Sequence, residues 1–198
     1  MSIKAADVKA LRERTGAGML DCKKALEEAN GDIDAAVESL RVKGLANAAK
    51  RGDKEASQGV VASYIHFNGT LGAMVEVDCE TDFVARNEEF VSFANDVAIH
   101  VAAVGPLYVD EDSVPAEERE AELRVLKELD ADKPEEIRAK IAEGRIGKWL
   151  DEVVLLRQPH VNGDRFEGRT IEELRAELAS KTGENVVIRR FSRFAVGG

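Results

Sequence analysis

Glu80-Thr81-Asp82-Phe83-Val84-Ala85-Arg86-Asn87 decides how this chain is built, because it joins a strand to a helix with almost no slack. Before it, Val75, Val77 and Cys79 alternate with Glu76, Asp78 and Glu80, the period of two that predicts a strand over Leu71–Cys79. After it, Phe90, Phe93, Ala94, Val97, Ala98 and Val101 recur at three- and four-residue spacing, which predicts an amphipathic helix. Asn87 suits the N-cap of that helix, with Glu88 and Glu89 favourable in its first turn. Thr81 to Arg86 is then a short connection, a kind of segment that normally lies on the surface and is polar. Yet Phe83 and Val84 stand beside Asp82. The residues leave two readings of Phe83 open: tucked into its own core, or offered to a partner.

Working outward, Gly59 to Phe67 reads as a strand carrying Val60, Val61, Tyr64 and Ile65. Asn68-Gly69 follows, a hairpin signal because both turn positions call for positive φ. The Leu71–Cys79 strand is the second arm, and the Phe90–Val101 helix is expected to fold back over that sheet. Val186 to Phe194 supplies a last strand, whose Arg189, Arg190 and Arg193 are expected to blunt a sheet edge.

Residues 2–44 read as three short helices. The first runs from about Ile3, turns Val8 and Leu11 inward and stops at Gly16. The second places Met19, Cys22, Leu26 and Ala29 at helical spacing and ends at Asn30-Gly31. The third follows Asp32, puts Ile33, Ala36, Val37 and Leu40 on one face and ends at Gly44. Cys22 is expected to be a buried small hydrophobe, and Gly16 and Gly18 to cap and turn the chain. Residues 45–58 lack an apolar stripe and are expected to form a linker, partly helical at its alanine-rich start. The predicted domains are therefore 1–54 and 55–198.

Gly105-Pro106 and Ser113-Val114-Pro115 bracket a loop. A helical hairpin is predicted over 116–130 and 135–150, within about 115–150 of the second domain, with Leu123, Leu126 and Leu129 facing Ile137, Ile141, Ile146 and Leu150. Thr170-Ile171-Glu172-Glu173 opens a further helix that turns Ile171, Leu174 and Leu178 inward and ends at Gly183. The fold class is α+β: an N-terminal three-helix module, then a core with an antiparallel sheet packed by helices and a helical hairpin.

The formal net charge of −10 argues against a general nucleic-acid binder. Much of the acidity sits in residues 110–152, with 15 Asp/Glu against 8 Lys/Arg. No apolar run reaches the length of a membrane span, the N-terminus lacks the apolar core of a secretion signal, and two cysteines fit reduced cytosolic thiols. A cytoplasmic location without membrane or direct nucleic-acid contact is expected. Gly144-Arg145-Ile146-Gly147-Lys148-Trp149 has the wrong spacing for a phosphate cradle. His66, His100 and His160 look isolated, which argues against zinc. Glu76, Asp78, Glu80 and Asp82 form a carboxylate ladder that could hold magnesium, although an acidic solvent face opposite an apolar one fits the pattern better. No residue pattern makes a positive case for an enzyme, and no cofactor or metal is expected.

Two long stretches are familiar. Arg14-Thr15-Gly16-Ala17-Gly18-Met19-Leu20-Asp21-Cys22-Lys23-Lys24-Ala25-Leu26 and Cys79-Glu80-Thr81-Asp82-Phe83-Val84-Ala85-Arg86-Asn87 closely resemble the signatures of the bacterial elongation factor Ts family, here in a short, single-core form. The similarity extends through Ala142-Glu143-Gly144-Arg145, Val153-Val154-Leu155-Leu156-Arg157-Gln158-Pro159 and Arg189-Arg190-Phe191, so it covers essentially the whole chain. It implies a guanine-nucleotide exchange factor that releases GDP from elongation factor Tu during translation elongation. It also implies that the three-helix module is ubiquitin-associated-like and grips the partner's GTPase domain. Carried over, Arg12, Thr15, Gly16, Ala17, Gly18, Met19, Lys23 and Lys24 would dock, and Thr81, Asp82, Phe83 and Val84 would enter near the partner's magnesium and phosphate site. Longer members carry the core twice. A non-covalent homodimer is therefore expected, with its surface on the 116–150 hairpin, on Val186–Phe194 or on both. His160 stands where the resemblance leads one to expect phenylalanine. The competing classes are a ubiquitin-like-binding adaptor and a metal-dependent hydrolase built on Glu76, Asp78, Glu80 and Asp82.

Overall fold

The computed structural model describes residues 3–130 and 132–197. Residues 1, 2, 131 and 198, which the predicted domains include, lie outside the described residues. The chain divides into two compact units. One holds the chain up to Val61 with Glu76–Ala94 and Glu173–Ile188; the other holds Ala62–Val75, Asn95–Glu172 and the chain from Arg189.

The first unit opens with α1 (Ala5–Thr15), α2 (Met19–Glu28) and α3 (Ile33–Arg51). Val8, Leu11, Cys22, Leu26 and Ala36 form their common buried core, as their spacing predicts, and Ala25 joins them, whereas Met19 on the same predicted stripe is exposed. Gly16 ends α1 at φ 67°, its N–H donating to the Arg12 carbonyl at 2.7 Å. Asp32 starts α3, its side chain accepting from the Asp34 and Ala35 amides at 3.0 Å each. The helix does not end at Gly44, as its sequence suggests, but continues to Arg51. One internal glycine costs only about 1 kcal/mol of helix propensity, and the alanine-rich residues after it favour helix. The expected linker shrinks to the few residues between Arg51 and the next strand.

Strands β1 (Gln58–Ile65), β2 (Leu71–Cys79) and β3 (Val187–Ala195) make an antiparallel sheet in that order, so β1 and β3 are its edges. The β1–β2 turn is wider than a two-residue Asn-Gly turn. His66 N–H donates to the Leu71 carbonyl at 2.8 Å, leaving a four-residue loop in which Gly69 (φ 70°) but not Asn68 takes positive φ. The Asn68 side chain is spent differently: its oxygen accepts from the Thr70 amide at 3.1 Å and the Thr70 hydroxyl at 2.9 Å. Val75, Val77 and Cys79 of β2 are buried. After β2 come the single turn α4 (Asp82–Ala85) and the long α5 (Glu88–Val104), whose Phe90, Phe93, Ala94, Val97, Ala98 and Val101 are all buried. Asn87 caps α5 as expected, accepting from the Glu89 amide at 2.8 Å. Arg193 does more than blunt the edge strand: its Nε donates to the Ala102 carbonyl at 3.0 Å, satisfying a group in the last turn of α5.

In the second unit, α6 (Ala116–Glu128) and α7 (Glu135–Val153) form the helical hairpin around Leu126, Ala142 and Ile146. Leu129 and Ile137 do not join that seam and are exposed. The turn is closed by charge instead, with Asp130 accepting from Lys133 at 2.6 Å and from Arg145 at 2.7 Å. Leu155–Arg157 forms a 3₁₀ turn, followed by the single turn α8 (Gly163–Phe166). Helix α9 (Ile171–Thr182), most of which belongs to the first unit, buries Ile171, Leu174 and Leu178.

Candidate functional site

The strand-to-helix connection folds as one helical turn rather than as an open loop. Thr81 has extended backbone (φ −126°, ψ 156°) and caps α4, its hydroxyl oxygen accepting from the Val84 amide at 3.4 Å. Ala85 is buried beneath the turn, whereas Phe83 is 82% exposed. Of the two readings its neighbours in sequence allow, burial in its own core is therefore excluded. Asp82 pairs with Arg86 one turn later at 3.0 Å, on the solvent side.

A four-residue helix has too few internal hydrogen bonds to hold itself. What holds this one is Glu184, at the turn between α9 and β3. Its Oε2 accepts from the amides of Glu80 (3.1 Å) and Thr81 (3.0 Å), and its Oε1 accepts from the Thr81 hydroxyl (2.6 Å). Glu80 returns the arrangement, its Oε1 accepting from the Asn185 amide at 2.6 Å with Arg51 3.7 Å away. The buried Asn185 side chain donates to the Gly52 and Lys54 carbonyls at 3.4 and 2.8 Å. The thiol of Cys79 donates to the Thr81 carbonyl at 3.2 Å. Burial, together with the nearby Glu184, Asp78 and Glu80 charges, pushes that thiol up to about 11, so it stays a protonated donor at neutral pH.

The second stretch marked by the sequence lies on α1, α2 and their turn. Arg12, Gly16, Gly18, Met19, Lys23 and Lys24 are exposed, and Thr15 and Ala17 are half-buried. Leu20, within the same stretch, is exposed beside Met19. The turn is internally satisfied: the Thr15 hydroxyl donates to the Leu11 carbonyl at 2.7 Å and accepts from the Ala17 amide at 3.3 Å. Gly16 also gives passage to Lys181, whose side-chain carbon lies 2.2 Å from where a Cβ would stand.

The carboxylate ladder does not assemble. Glu76 and Glu80 are half-buried, and Asp78 is buried rather than turned to solvent. Glu80 is engaged with Asn185, and Asp82 belongs to the next element. Among the described residues no three His, Cys, Asp or Glu side chains group so as to hold a metal ion. The histidines are not all isolated, however. The rings of His100 and His160 lie 5.5 Å apart, both buried. Their Nδ1 atoms accept from the Val161 and Asn162 amides at 3.0 Å each. Their Nε2–H groups donate to the Gln158 side chain (2.9 Å) and the Asp96 carbonyl (3.1 Å). A neutral imidazole has one lone pair for a metal, and in each ring it is already used.

Comparison with known proteins bears on the exposed turn and the exposed helical stretch together. The family model described as Elongation factor TS matches residues 2–167. The chain is 49% identical to elongation factor Ts of Syntrophus aciditrophicus, over 100% of this chain and 98% of that one. It is 51% identical to that of Herpetosiphon aurantiacus, over 100% and 99%. The chain belongs to the elongation factor Ts family. A longer relative, elongation factor Ts of Synechococcus, is matched at 51% identity over 70% of its length. Each of the two stretches that resemble the elongation factor Ts signatures combines buried anchors with exposed residues: Cys22 and Leu26 beneath Met19 and Leu20 in one, Cys79 and Ala85 beneath Phe83 in the other. Glu184 and Asn185 were missed in the sequence because nothing near them in the chain signals their role: their partners lie 103 to 133 residues earlier in the chain. The only local hint was the break between the helix ending at Gly183 and the strand that follows.

Proposed function

We propose that this chain is a guanine-nucleotide exchange factor for elongation factor Tu, acting in the cytoplasm during translation elongation. Family membership supports the partner and the activity; the exposure of Phe83 on an anchored turn supports the means. In this reading Arg12, Thr15, Gly16, Ala17, Gly18, Met19, Lys23 and Lys24 dock on the partner, and the Thr81-Asp82-Phe83-Val84 turn enters beside its magnesium and phosphates. An aromatic wedge entering a packed pocket moves its walls in discrete steps, because close-packed interiors do not compress. Asp82 redirects polar groups near the partner's magnesium, the charge that otherwise holds the phosphates. The chain acts by differential affinity, tight for empty partner and weak for GDP-bound partner, and linkage makes the effect reciprocal.

The same reading includes a non-covalent homodimer. Its surface is the outward face of the sheet where Ile65, Met74 and Phe194 are exposed, on strands rather than on loops. Gly72 of the central strand β2 leaves room on this face for the Ile65 side chain, which passes 2.5 Å from where a Cβ would be.

Release of labelled GDP from elongation factor Tu tests the function. The chain at substoichiometric concentration is expected to turn over many partner molecules. Tight binding without accelerated release would instead indicate an adaptor.

A further inference from the structure

We propose that Glu184 is a positioning residue for nucleotide exchange, holding the base of the Phe83 wedge so that force applied at the ring is not lost in recoil. The proposal rests on the exchange reading above and deepens it. Three observations carry it. The turn bearing Phe83 is four residues long and cannot be rigid by itself. One carboxylate takes up three polar hydrogens at its entrance: the Glu80 amide, the Thr81 amide and the Thr81 hydroxyl. The clamp is also reciprocal, since the Glu80 carboxylate holds the amide of Asn185, and Asn185 holds the carbonyls that follow α3. The wedge, the end of the docking helices and the α9–β3 turn are thus tied at one place.

The chemistry of a carboxylate suits this role and that of an amide does not. Glu184 offers acceptors on both oxygens, so Oε2 serves two N–H groups while Oε1 serves a hydroxyl. A glutamine has one acceptor oxygen. Its amide nitrogen would face the Thr81 hydroxyl, which already receives the Val84 N–H and would lose the acceptor for its own proton. Glu184→Gln should therefore keep part of the clamp, and Glu184→Ala none.

The test measures stimulated GDP release across partner concentrations for wild type, Glu184→Ala, Glu184→Gln, Phe83→Ala and the double variant Glu184→Ala/Phe83→Ala. Glu184→Ala is expected to lower the maximal rate by about tenfold or more, the scale of a lost hydrogen bond to a charged group, with half-saturation little changed. Glu184→Gln should fall between it and wild type. The double variant should be no slower than Phe83→Ala alone, because a positioning residue has nothing left to position. Hydrogen exchange of the Glu80 and Thr81 amides should be slow in wild type and at least about tenfold faster in Glu184→Ala. If Glu184→Ala does not fold, Glu184→Gln carries the same rate and additivity test. A folded variant with the wild-type maximal rate, or additive losses in the double variant, would overturn the proposal. A wild-type chain that fails to stimulate release would sink the exchange reading instead, and the amide protection would still report on the clamp.

Discussion

At the scale of single residues, His100 and His160 show what a linear reading loses. Each looks solitary in sequence, and the fold brings them together with every ring nitrogen engaged. Burial holds both below their ordinary 6.5, since an imidazolium there would lack water and would turn a second N–H toward a backbone N–H. The charged groups around the pair are Asp96 and Arg165, themselves joined at 2.7 Å. The folded protein therefore binds fewer protons than the unfolded chain as pH falls below 6.5, so this contribution to stability is complete above that value and is lost on acidification through the lowered folded values. The melting temperature is expected to be level above about pH 7 and to drop toward about pH 5, before most carboxylates titrate. His160→Phe should flatten part of that limb; a melting temperature constant down to pH 5 in the wild type would contradict the account. Phe83 was ambiguous for a different reason: alternation and spacing describe faces of elements, and a residue in a single turn has no period to read.

At the scale of elements, what was legible followed from periodicity. The β2 strand and the buried stripe of α5 were readable because many residues vote together. The end of α3 was not, because one glycine competes against a long alanine-rich run and loses. The seam of the α6–α7 hairpin was half-readable: Leu126 and Ile146 pack, but Leu129 comes after the helix end and Asp130 takes its place. The first three helices are proposed to be a separable docking module, though they are tied to α9 by the Arg41–Glu173 ion pair and by Lys181 over Gly16. A truncation beginning at Gly52 keeps the carbonyls that Asn185 holds. It should leave a chain with a cooperative melt at lower temperature, and weaken partner binding by more than about tenfold through loss of one of two linked contacts. Full-rate GDP release by that truncation at low concentration would show the module does not dock.

At the scale of the whole molecule, the exposed sheet face predicts self-association. Sedimentation at micromolar concentration is expected to give twice the mass of the 21.6 kDa chain, and a charged substitution such as Phe194→Glu is expected to return it to monomer. A single 21.6 kDa species for wild type would remove the homodimer. In the proposed mechanism exchange turns on Phe83, and one variant tests it most directly. Truncating an interface anchor typically costs about 2 kcal/mol or more, roughly thirtyfold, whereas Phe→Ala in a core costs about 3–5 kcal/mol of stability. Because the ring is 82% exposed, Phe83→Ala should leave the melting temperature near wild type. The same variant, measured for release of labelled GDP from elongation factor Tu, should be slower by roughly thirtyfold. Release at the wild-type rate from the folded variant would contradict the central claim that Phe83 is the wedge.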